Sequence, residues 1–387
     1  MPMDSAAPAL CQRIEDYLFR GLLPLWAEHG WDHARGGFHE RLEADHSPSP
    51  LDYRRLTVLG RQLYVFSEAA RSGPPEPAFA KLAHSAYDYL VQHFWDERFG
   101  GWVFKVDLAG MPRDTTKDLY GHAFAMFGLA HYYRAFRARE ALAIAHETSL
   151  LLKRHLGLPS GWFASAADQD WSIGDRKLNQ NPHMHLLEAY VALFAASEEP
   201  VFKEDANAIV DLFHRHLFDA ERGTLGEFFD ERGLPQRETG RRVEPGHLFE
   251  WFWILREGSN LWSDARTLPA AGRLFEWAER HGVDAEAGGV FDVLDRDGLV
   301  IKDSKRIWPQ AERIKAHASR ARSGAAKGEQ TGLVPLVQFL FDKYLLADGG
   351  WRESLGRRLE PAATALPGTT PYHIFLALNE ARAALSA

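Results

Sequence analysis

A short glycine turn with an aromatic residue one or two positions later recurs six times along the chain. The last glycines of these turns lie at positions 37, 101, 161, 226, 289 and 350, at intervals of 64, 60, 65, 63 and 61 residues. Self-similarity at a fixed period indicates a repeat architecture. The chain is therefore predicted to consist of six related units.

The segments between the turns have a helical pattern. Apolar residues within 56–70, 124–133 and 186–194 follow i, i+3, i+4 spacing, which predicts amphipathic helices. Each unit has room for two helices of roughly 15 residues and a short β-ribbon at the turn. Helical solenoids usually have shorter repeats, so a closed toroid fits better. We predict an all-α fold, an (α/α)6 barrel with short β-ribbons in the loops, forming one catalytic domain over residues 1–387 with residues 1–10 flexible.

Composition and charge exclude several classes of protein. Hydrophobic residues make up 45% of the 387 residues and charged residues 25%, which indicates a folded globular chain. The formal net charge is −8 without a long basic run, which disfavours nucleic acid and membrane as partners. A single cysteine, Cys11, excludes an internal disulfide and a cysteine metal cluster. The acidic start and the lack of a long apolar segment predict a cytoplasmic location.

A second repeat has the same period. Prolines at positions 182, 245, 309 and 371 are 63, 64 and 62 residues apart, and proline is favoured in the first turn of a helix. Asn181 and Thr370 are suitable N-caps for two of these helices. A toroid brings equivalent helix starts to one end. We expect four side chains to gather there: His185, His247, Glu312 and His373.

The same end of the toroid is expected to hold a polar pocket. Counting back by the repeat places Tyr120 and Arg61 there, and Asn181 and Trp308 are next to the prolines. A mixture of arginine, tyrosine, asparagine, histidine, glutamate and tryptophan is typical of a site for polyhydroxylated ligands. The ligand is expected to be a monosaccharide.

Two carboxylates and a histidine pair suggest further contacts. Glu188 and Glu250 each follow a histidine by three residues, so each is expected to lie beside that imidazole. His183 and His185 suggest a metal site, but residues two apart on a helix point in different directions. We expect neither a metal nor another cofactor.

Histidines at helix starts can act as bases. The positive end of the helix dipole disfavours imidazolium, so such a histidine stays neutral near pH 7. Two of them can remove and return a proton beside a sugar carbonyl, while an arginine stabilises the enediolate. The chain has no phosphate-binding loop of the GxxxxGK[ST] type, which favours an unphosphorylated sugar. A glycoside hydrolase using Glu244, Glu250 or Glu312 and a sugar-binding protein without activity remain alternatives.

Six segments resemble the N-acylglucosamine 2-epimerase superfamily from about residue 15 to the C-terminus. They are LTVLGRQLYVFSEAA (56–70), KDLYGHAFAMFGLA (117–130), NQNPHMHLLEAY (179–190), EPGHLFEWFWIL (244–255), RIWPQAE (306–312) and TPYHIFLAL (370–378). The resemblance implies an (α/α)6 barrel and the isomerisation or 2-epimerisation of sugars. The ending TPYHIF is more similar to mannose-type isomerases. It implies interconversion of D-mannose and D-fructose through a cis-enediol, with an aldose 2-epimerase as the alternative.

The resemblance also implies roles for single residues. His247 and His373 match the family's acid/base histidines, and Glu250 would be the partner of His247. The matching substrate-binding positions are Arg61, Tyr120, Asn181, His185, Glu250, Trp308 and Glu312. Arg237, Arg241 and Arg242 lie in a loop where some members have a substrate arginine, and the sequence does not choose among them. The protein is expected to be a monomer or a homodimer.

Overall fold

The helices form two concentric layers. The computed structural model describes residues 6–174, 178–237, 239–261, 266–322 and 329–386, without the side chains of 6 and 329–331. The α-helices are α1 (Ala6–Asp16), α2 (Leu23–Leu25), α3 (Leu56–Ser72), α4 (Pro77–Phe94), α5 (Leu119–Phe136), α6 (Arg139–His155), α7 (Gln180–Ser197), α8 (Pro200–Leu212), α9 (Pro245–Leu261), α10 (Thr267–Trp277), α11 (Ile307–Arg322), α12 (Glu329–Lys343) and α13 (Thr370–Ser386). Shorter π-helical and 3-10 turns are Tyr17–Leu22, Trp26–Gly30, Phe213–Leu217, Thr239–Arg241 and Ala278–Gly282.

The inner layer is a closed ring. Helices α3, α5, α7, α9, α11 and α13 each pack on the next, and α13 packs on α3. The outer helices α4, α6, α8, α10 and α12 pack on their preceding inner helices, and α1 covers α13. The predicted (α/α)6 barrel is confirmed.

Short β-ribbons lie at the end of the barrel where the inner helices begin. The strands are β1 (Arg41–Leu42), β2 (Tyr53–Arg55), β3 (Lys105–Asp107), β4 (Pro112–Asp114), β5 (Lys117–Asp118), β6 (Ala166–Ala167), β7 (Leu178–Asn179), β8 (Phe218–Asp219), β9 (Thr224–Leu225), β10 (Phe228–Phe229), β11 (Arg242–Val243), β12 (Val293–Asp295), β13 (Val300–Lys302), β14 (Lys305–Arg306), β15 (Ser354–Leu355), β16 (Pro361–Ala363) and β17 (Leu366–Pro367).

The ribbons connect each unit to the next. A strand directly precedes every inner helix and pairs antiparallel with a strand of the following unit, as in β2–β3, β5–β6 and β11–β12. The pair β17–β1 closes this second ring. The strands thereby fix where each inner helix begins.

The six glycine turns join outer helices to the ribbons. In the second unit, residues Gly100 and Gly101 have φ angles of +71°, a left-handed conformation that favours glycine. A Cβ atom on Gly101 would lie 2.6 Å from the Trp171 ring and 2.9 Å from His122 Nε2. Gly37, Gly161 and Gly289 share the positive φ, so at four of the six turns the glycine reflects backbone conformation, and at Gly101 it reflects close packing as well.

The inner helices are buried on nearly all sides. Because they are surrounded by the other layer and by each other, helices such as α5 and α7 are apolar around most of their circumference. Several tryptophans are core residues, consistent with the ordinary structural use of this side chain. Those below 2% exposure are Trp26, Trp102, Trp162, Trp251 and Trp351.

Some expectations about helix ends are wrong. Helix α1 begins at Ala6, so residues 6–10 are helical, whereas residues 1–5 lie outside the described part. Asn181 is within the first turn of α7, whose N-cap is Asn179. Thr370 is the first residue of α13, and its hydroxyl donates a 2.9 Å hydrogen bond to Glu353 Oε2. Among the described helices, none combines the length and apolar character needed to span a membrane.

Candidate active site

The structure brings His247 and His373 to the same end of the barrel, where both lie beside Trp308. The ring centroid of Trp308 lies 5.0 Å from that of His247 and 5.7 Å from that of His373. Each histidine lies two residues after the proline in the first turn of its helix, α9 or α13. They are 7% and 8% exposed, so both imidazoles are nearly enclosed. This arrangement places two titratable rings next to one indole.

His247 forms a pair with Glu227. The imidazole Nδ1 lies 3.0 and 3.1 Å from the two Glu227 carboxylate oxygens, and Gln180 donates a 2.9 Å hydrogen bond to Glu227 Oε2. Burial opposes a charged imidazole, but the charge and hydrogen bond of Glu227 outweigh burial and raise the pKa of His247 to about 9. His247 is therefore an imidazolium near neutral pH.

The predicted pairing of His247 with Glu250 is wrong. Glu250 is 1% exposed and its Oε1 lies 3.9 Å from His185 Nε2, 3.9 Å from Lys315 Nζ and 3.4 Å from the Tyr372 hydroxyl. The i+3 spacing does bring residues 250 and 247 to one side of α9. The side chain extends deeper into the barrel, where positive charge is available.

His373 forms a second pair with different surroundings. Its Nδ1 lies 2.7 Å from Glu312 Oε1, and the other oxygen of that carboxylate lies 2.6 Å from Lys315 Nζ. Burial lowers the pKa of His373 well below its usual value, and the charges of Arg61 and Lys315 lower it further. His373 is therefore neutral near pH 7, as expected for a base.

The third histidine lies deeper and is held by a carboxylate. His185 Nδ1 is 2.9 Å from Glu188 Oε2, the i+3 contact anticipated from the sequence. The His185 ring lies 5.2 Å from Tyr120. Burial lowers the pKa of His185 to about 3, although Glu250 opposes the shift. His185 is thus a neutral hydrogen-bonding group.

Arg61 adds a positive charge next to this ring. Its Nη2 donates a 2.7 Å hydrogen bond to the Tyr120 hydroxyl, and its guanidinium carbon lies 3.9 Å from the centre of the Phe124 ring. The side chain is 5% exposed. Arg61 and Tyr120 are therefore together, as predicted.

The other predicted residues lie nearer the rim. Asn181 is half-buried in the first turn of α7. Arg237 is exposed, Arg241 pairs with Asp297 at 3.3 Å, and Arg242 Nη2 lies 3.7 Å from Glu244.

A different arginine contacts the indole at the centre of the site. The guanidinium of Arg306 lies 5.2 Å from the Trp308 ring. It also pairs with Glu244 at 2.8 Å and with Asp292 at 3.0 Å.

Sequence reasoning missed several residues of the site. Glu227 lies within the fourth glycine turn, Gln180 directly precedes Asn181, and Lys315 follows Glu312 by three residues. Tyr372 is adjacent to His373, and its hydroxyl contacts Glu188 and, at 3.4 Å, Glu250. The position of Glu227 in a repeated turn was a usable signal. Lys315 contacts Glu312 on its own helix, an i+3 spacing that the sequence also offered, whereas the partners of Gln180 and Tyr372 come from other elements.

Two groups of side chains resemble metal ligands in type. The first group is His185, Glu188 and Glu250, and the second is Glu250, Glu312 and His373. Within each group the possible ligand atoms lie within 4.8 Å of one another. The ammonium of Lys315 already supplies a positive charge to the carboxylates.

His183 does not take part in either group. It bonds to the backbone of Asn179 and Phe163, away from His185. Metal-independent chemistry stays a prediction.

A large cavity lies at the other end of the barrel. It has a volume of about 1120 Å³ and is bounded by the later turns of the inner helices, including Glu68, Glu257 and Glu380. Of the residues around the three histidines it reaches only Glu188. The two imidazoles that flank Trp308 are not part of it.

The site therefore holds two imidazoles whose pKa values are shifted in opposite directions. His247, with a raised pKa, and His373, with a lowered one, both lie beside the Trp308 indole. Such pairs, whose surroundings push their pKa values apart, are typical of sites that move protons. A model of the family described as N-acylglucosamine 2-epimerase (GlcNAc 2-epimerase) matches residues 36–377. The chain belongs to this family.

Three similar proteins illustrate the range of the family. A mannose-6-phosphate isomerase of Rhizobium meliloti (strain 1021) is 32% identical over 385 residues, which cover 95% of each chain. A D-mannose isomerase of Thermobifida fusca is 28% identical over 78% of this chain and 75% of its own. The structure of cellobiose 2-epimerase from Spirochaeta thermophila DSM 6192 has a TM-score of 0.89 and 27% identity, covering 100% of this chain and 99% of that one.

These comparisons confirm the predicted family and enzyme class. The chain is a sugar isomerase or epimerase of the N-acylglucosamine 2-epimerase superfamily.

Proposed function

We propose that the protein interconverts D-mannose and D-fructose. The observation that carries this proposal is that two histidines beside Trp308 have different carboxylate partners: Glu227 contacts His247, whereas the Glu312 that contacts His373 is also paired with Lys315. Aldose–ketose isomerisation needs a base for the C2 proton and an acid for the neighbouring oxygen. One neutral and one protonated imidazole supply both at neutral pH.

The reaction begins with the open-chain aldose. Nε2 of neutral His373 removes the C2 proton, and the C–H electron pair forms the C1=C2 bond of an enediolate. His247 donates a proton to O1, while Arg61 and His185 stabilise the developing negative charge. His373 then returns the proton to C1, and the O2 proton passes back to His247 as the C2 carbonyl forms. Atoms and charge balance over this cycle.

The rim of the site favours an uncharged sugar. Arg306, the arginine next to Trp308, already pairs with Glu244 and Asp292, and Arg242 is also next to Glu244. A sugar phosphate would need one of these cations for itself. Mannose 6-phosphate, named for one relative, is therefore the substrate to compare directly with mannose.

An aldose 2-epimerase is the second candidate. The same two imidazoles serve it if the proton returns to the other face of C2 rather than to C1. The likeness to a cellobiose 2-epimerase structure favours this reading. The buried carboxylates do not favour glycoside hydrolysis, because Glu250 and Glu312 both lie beside Lys315 instead of flanking an open cleft.

The test is incubation of the purified protein with mannose, mannose 6-phosphate, N-acetylglucosamine and cellobiose, followed by sugar chromatography. Fructose from mannose supports the proposal. N-acetylmannosamine or an epimerised disaccharide would establish the epimerase instead. Glucose released from cellobiose would indicate a hydrolase. Sugar binding without conversion would indicate a binding protein.

Substitution of either histidine tests the assigned roles. His247→Ala and His373→Ala are each expected to lower kcat/KM by about 10²–10⁴, because each removes an acid or base from the transition state. Circular dichroism and Tm check that the barrel remains folded. Activity close to wild type in a folded variant would remove that histidine from the mechanism.

A further inference from the structure

A buried lysine lies beneath the proposed base. The side chain of Lys315 is 0% exposed, and its Nζ lies 2.6 Å from Glu312 Oε2 and 3.9 Å from Glu250 Oε1. The indole of Trp253 lies 4.2 Å from Nζ on another side. A lysine is almost never fully buried unless it is paired, and Glu312 is the partner here. The proposed reaction does not use Lys315 directly.

The two histidine–glutamate pairs differ in their surroundings. At His247, Glu227 is supported by Gln180, a neutral donor, so its negative charge is free to hold a proton on the imidazole. At His373, Lys315 already balances the charge of Glu312. One carboxylate oxygen contacts the ammonium and the other contacts the ring. The lysine therefore competes directly with any additional proton on the pair.

Other charged groups face the same pair from neighbouring helices. They are Arg61 on α3, His185 and Glu188 on α7, His247 and Glu250 on α9, and Tyr372 on α13 itself. On the outer side, the α1 residue Glu15 pairs with Arg382 near the far end of α13. Glu188 and Glu250 favour an extra proton on the pair, and Arg61 opposes it. None of these groups is within ion-pair distance of Glu312 among the contacts of the described residues, whereas Lys315 is.

We propose that Lys315 is a positioning residue that keeps the Glu312–His373 pair free of an additional proton, and so makes His373 the base and His247 the acid. In the reactive form, His373 Nδ1–H donates to the Glu312 carboxylate and leaves Nε2 free to accept a proton. An additional proton can bind either His373 or Glu312. On His373 it occupies Nε2, and on Glu312 it turns the hydrogen bond around and moves the ring proton to Nε2. Both outcomes abolish the base.

The test is Lys315→Met, which removes the charge and keeps much of the side-chain volume. Burial and Glu250 already raise the pKa of Glu312 against the opposing effect of Lys315. Loss of a close opposite charge shifts such a group by about 1–3 pH units. We expect the acidic limb of the kcat/KM profile to move upward by that amount, while the alkaline limb near pH 9 set by His247 stays. Lys315→Arg keeps the charge and should keep the wild-type acidic limb.

A second measurement does not depend on any substrate. In protein labelled with ¹⁵N-histidine, the ring nitrogens of His373, assigned with His373→Gln, report its proton and tautomer. In Lys315→Met, the appearance of a proton on His373 Nε2 is expected at a higher pH than in the wild type. Because this readout needs no sugar, it tests the role of Lys315 even if the proposed substrate is wrong. Failure of the wild type to convert any sugar would instead count against the proposed function.

The matched control is another buried lysine. Lys117 is also 0% exposed and pairs with Asp96 at 2.7 Å, in the strand that precedes α5. Lys117→Met should lower stability without raising the pH at which the His373 signals change. If Lys315→Met does not fold, Lys315→Met with Glu188→Gln restores the charge balance of the cluster. In this double variant, a smaller upward shift of the acidic limb and of the His373 signals is expected than in Lys315→Met. Unmoved His373 signals and an unmoved acidic limb in either folded variant would overturn the proposal.

Discussion

At the residue scale, the two histidines have different charge states: burial lowers the pKa of His373, whereas the charge of Glu227 outweighs burial and raises the pKa of His247. Glu227 keeps its negative charge next to His247, whereas Glu312 shares its charge between His373 and Lys315. The pKa of an imidazole depends on its burial and on the charges within a few ångströms, so two histidines of one site can differ in charge. The roles of acid and base are therefore determined by groups one step away from the substrate.

Glu227→Gln tests this control of charge. Without the carboxylate, burial dominates, and the pKa of His247 should fall from about 9 to below the usual 6.5 of histidine. The alkaline limb of kcat/KM should move to lower pH, with a loss of about tenfold or more at pH 8. Glu227→Asp keeps the charge and should keep a high alkaline limb. An alkaline limb at the wild-type pH in Glu227→Gln would contradict the assignment.

At the element scale, the glycine turns are tied to the ribbons by buried ion pairs. Lys117 contacts Asp96 at 2.7 Å and the Gly100 carbonyl at 2.8 Å, and Lys305 contacts Asp284 in the same manner. Arg54 and Asp32 form the equivalent pair in the first unit. Each pair joins the turn after an outer helix to the strand before an inner helix. These ties fix the starts of the helices that bear the site.

Lys117→Met should be strongly destabilising for this reason. It leaves Asp96 as a buried, uncompensated charge, and breaking a buried pair on one side costs about 3–5 kcal/mol. The control is Lys105→Met, because Lys105 and Asp114 are 3.6 Å apart and about a third exposed, and such pairs contribute about 1 kcal/mol or less. Urea unfolding of both variants measures the difference. Equal free energies of unfolding for Lys117→Met and Lys105→Met would show that the buried ion pairs do not stabilise the glycine turns.

Periodicity predicts the elements better than it predicts the site. The sixfold turns and the proline-marked helix starts were sufficient to predict a closed toroid and the gathering of His247, His373 and Trp308. They could not separate reacting from structural side chains, because His122 and His183 also lie in the first turns of their inner helices. Nor could they find Glu227 as the partner of His247. Glu227 lies in a turn twenty residues before His247, and the contact depends on how that turn is oriented relative to α9.

At the scale of the whole molecule, one repeated hydrogen-bond pattern links the inner layer to the turns. His122 and His183 each bond through Nδ1 to a carbonyl four residues earlier and accept through Nε2 from a backbone N–H twenty residues earlier. In the fifth unit Gln310 makes the same two bonds through its amide. A glutamine therefore fits where these two units have histidine. Glutamine does not titrate, and histidine does.

This difference predicts how acid acts on the barrel. Burial lowers the pKa of His122 to about 3 and that of His183 to about 4, so both stay neutral in the fold while the unfolded chain takes up protons below pH 6.5. Their stabilising contribution is complete above pH 6.5 and is lost as pH falls toward those values. His183→Gln should lose about 2 kcal/mol less stability than wild type between pH 7.5 and 5. Urea unfolding at both pH values measures this, with the exposed His33→Gln as the control. A stability loss equal to that of the wild type would show that the buried imidazole does not oppose folding in acid, and that the acid sensitivity of the barrel comes from other groups.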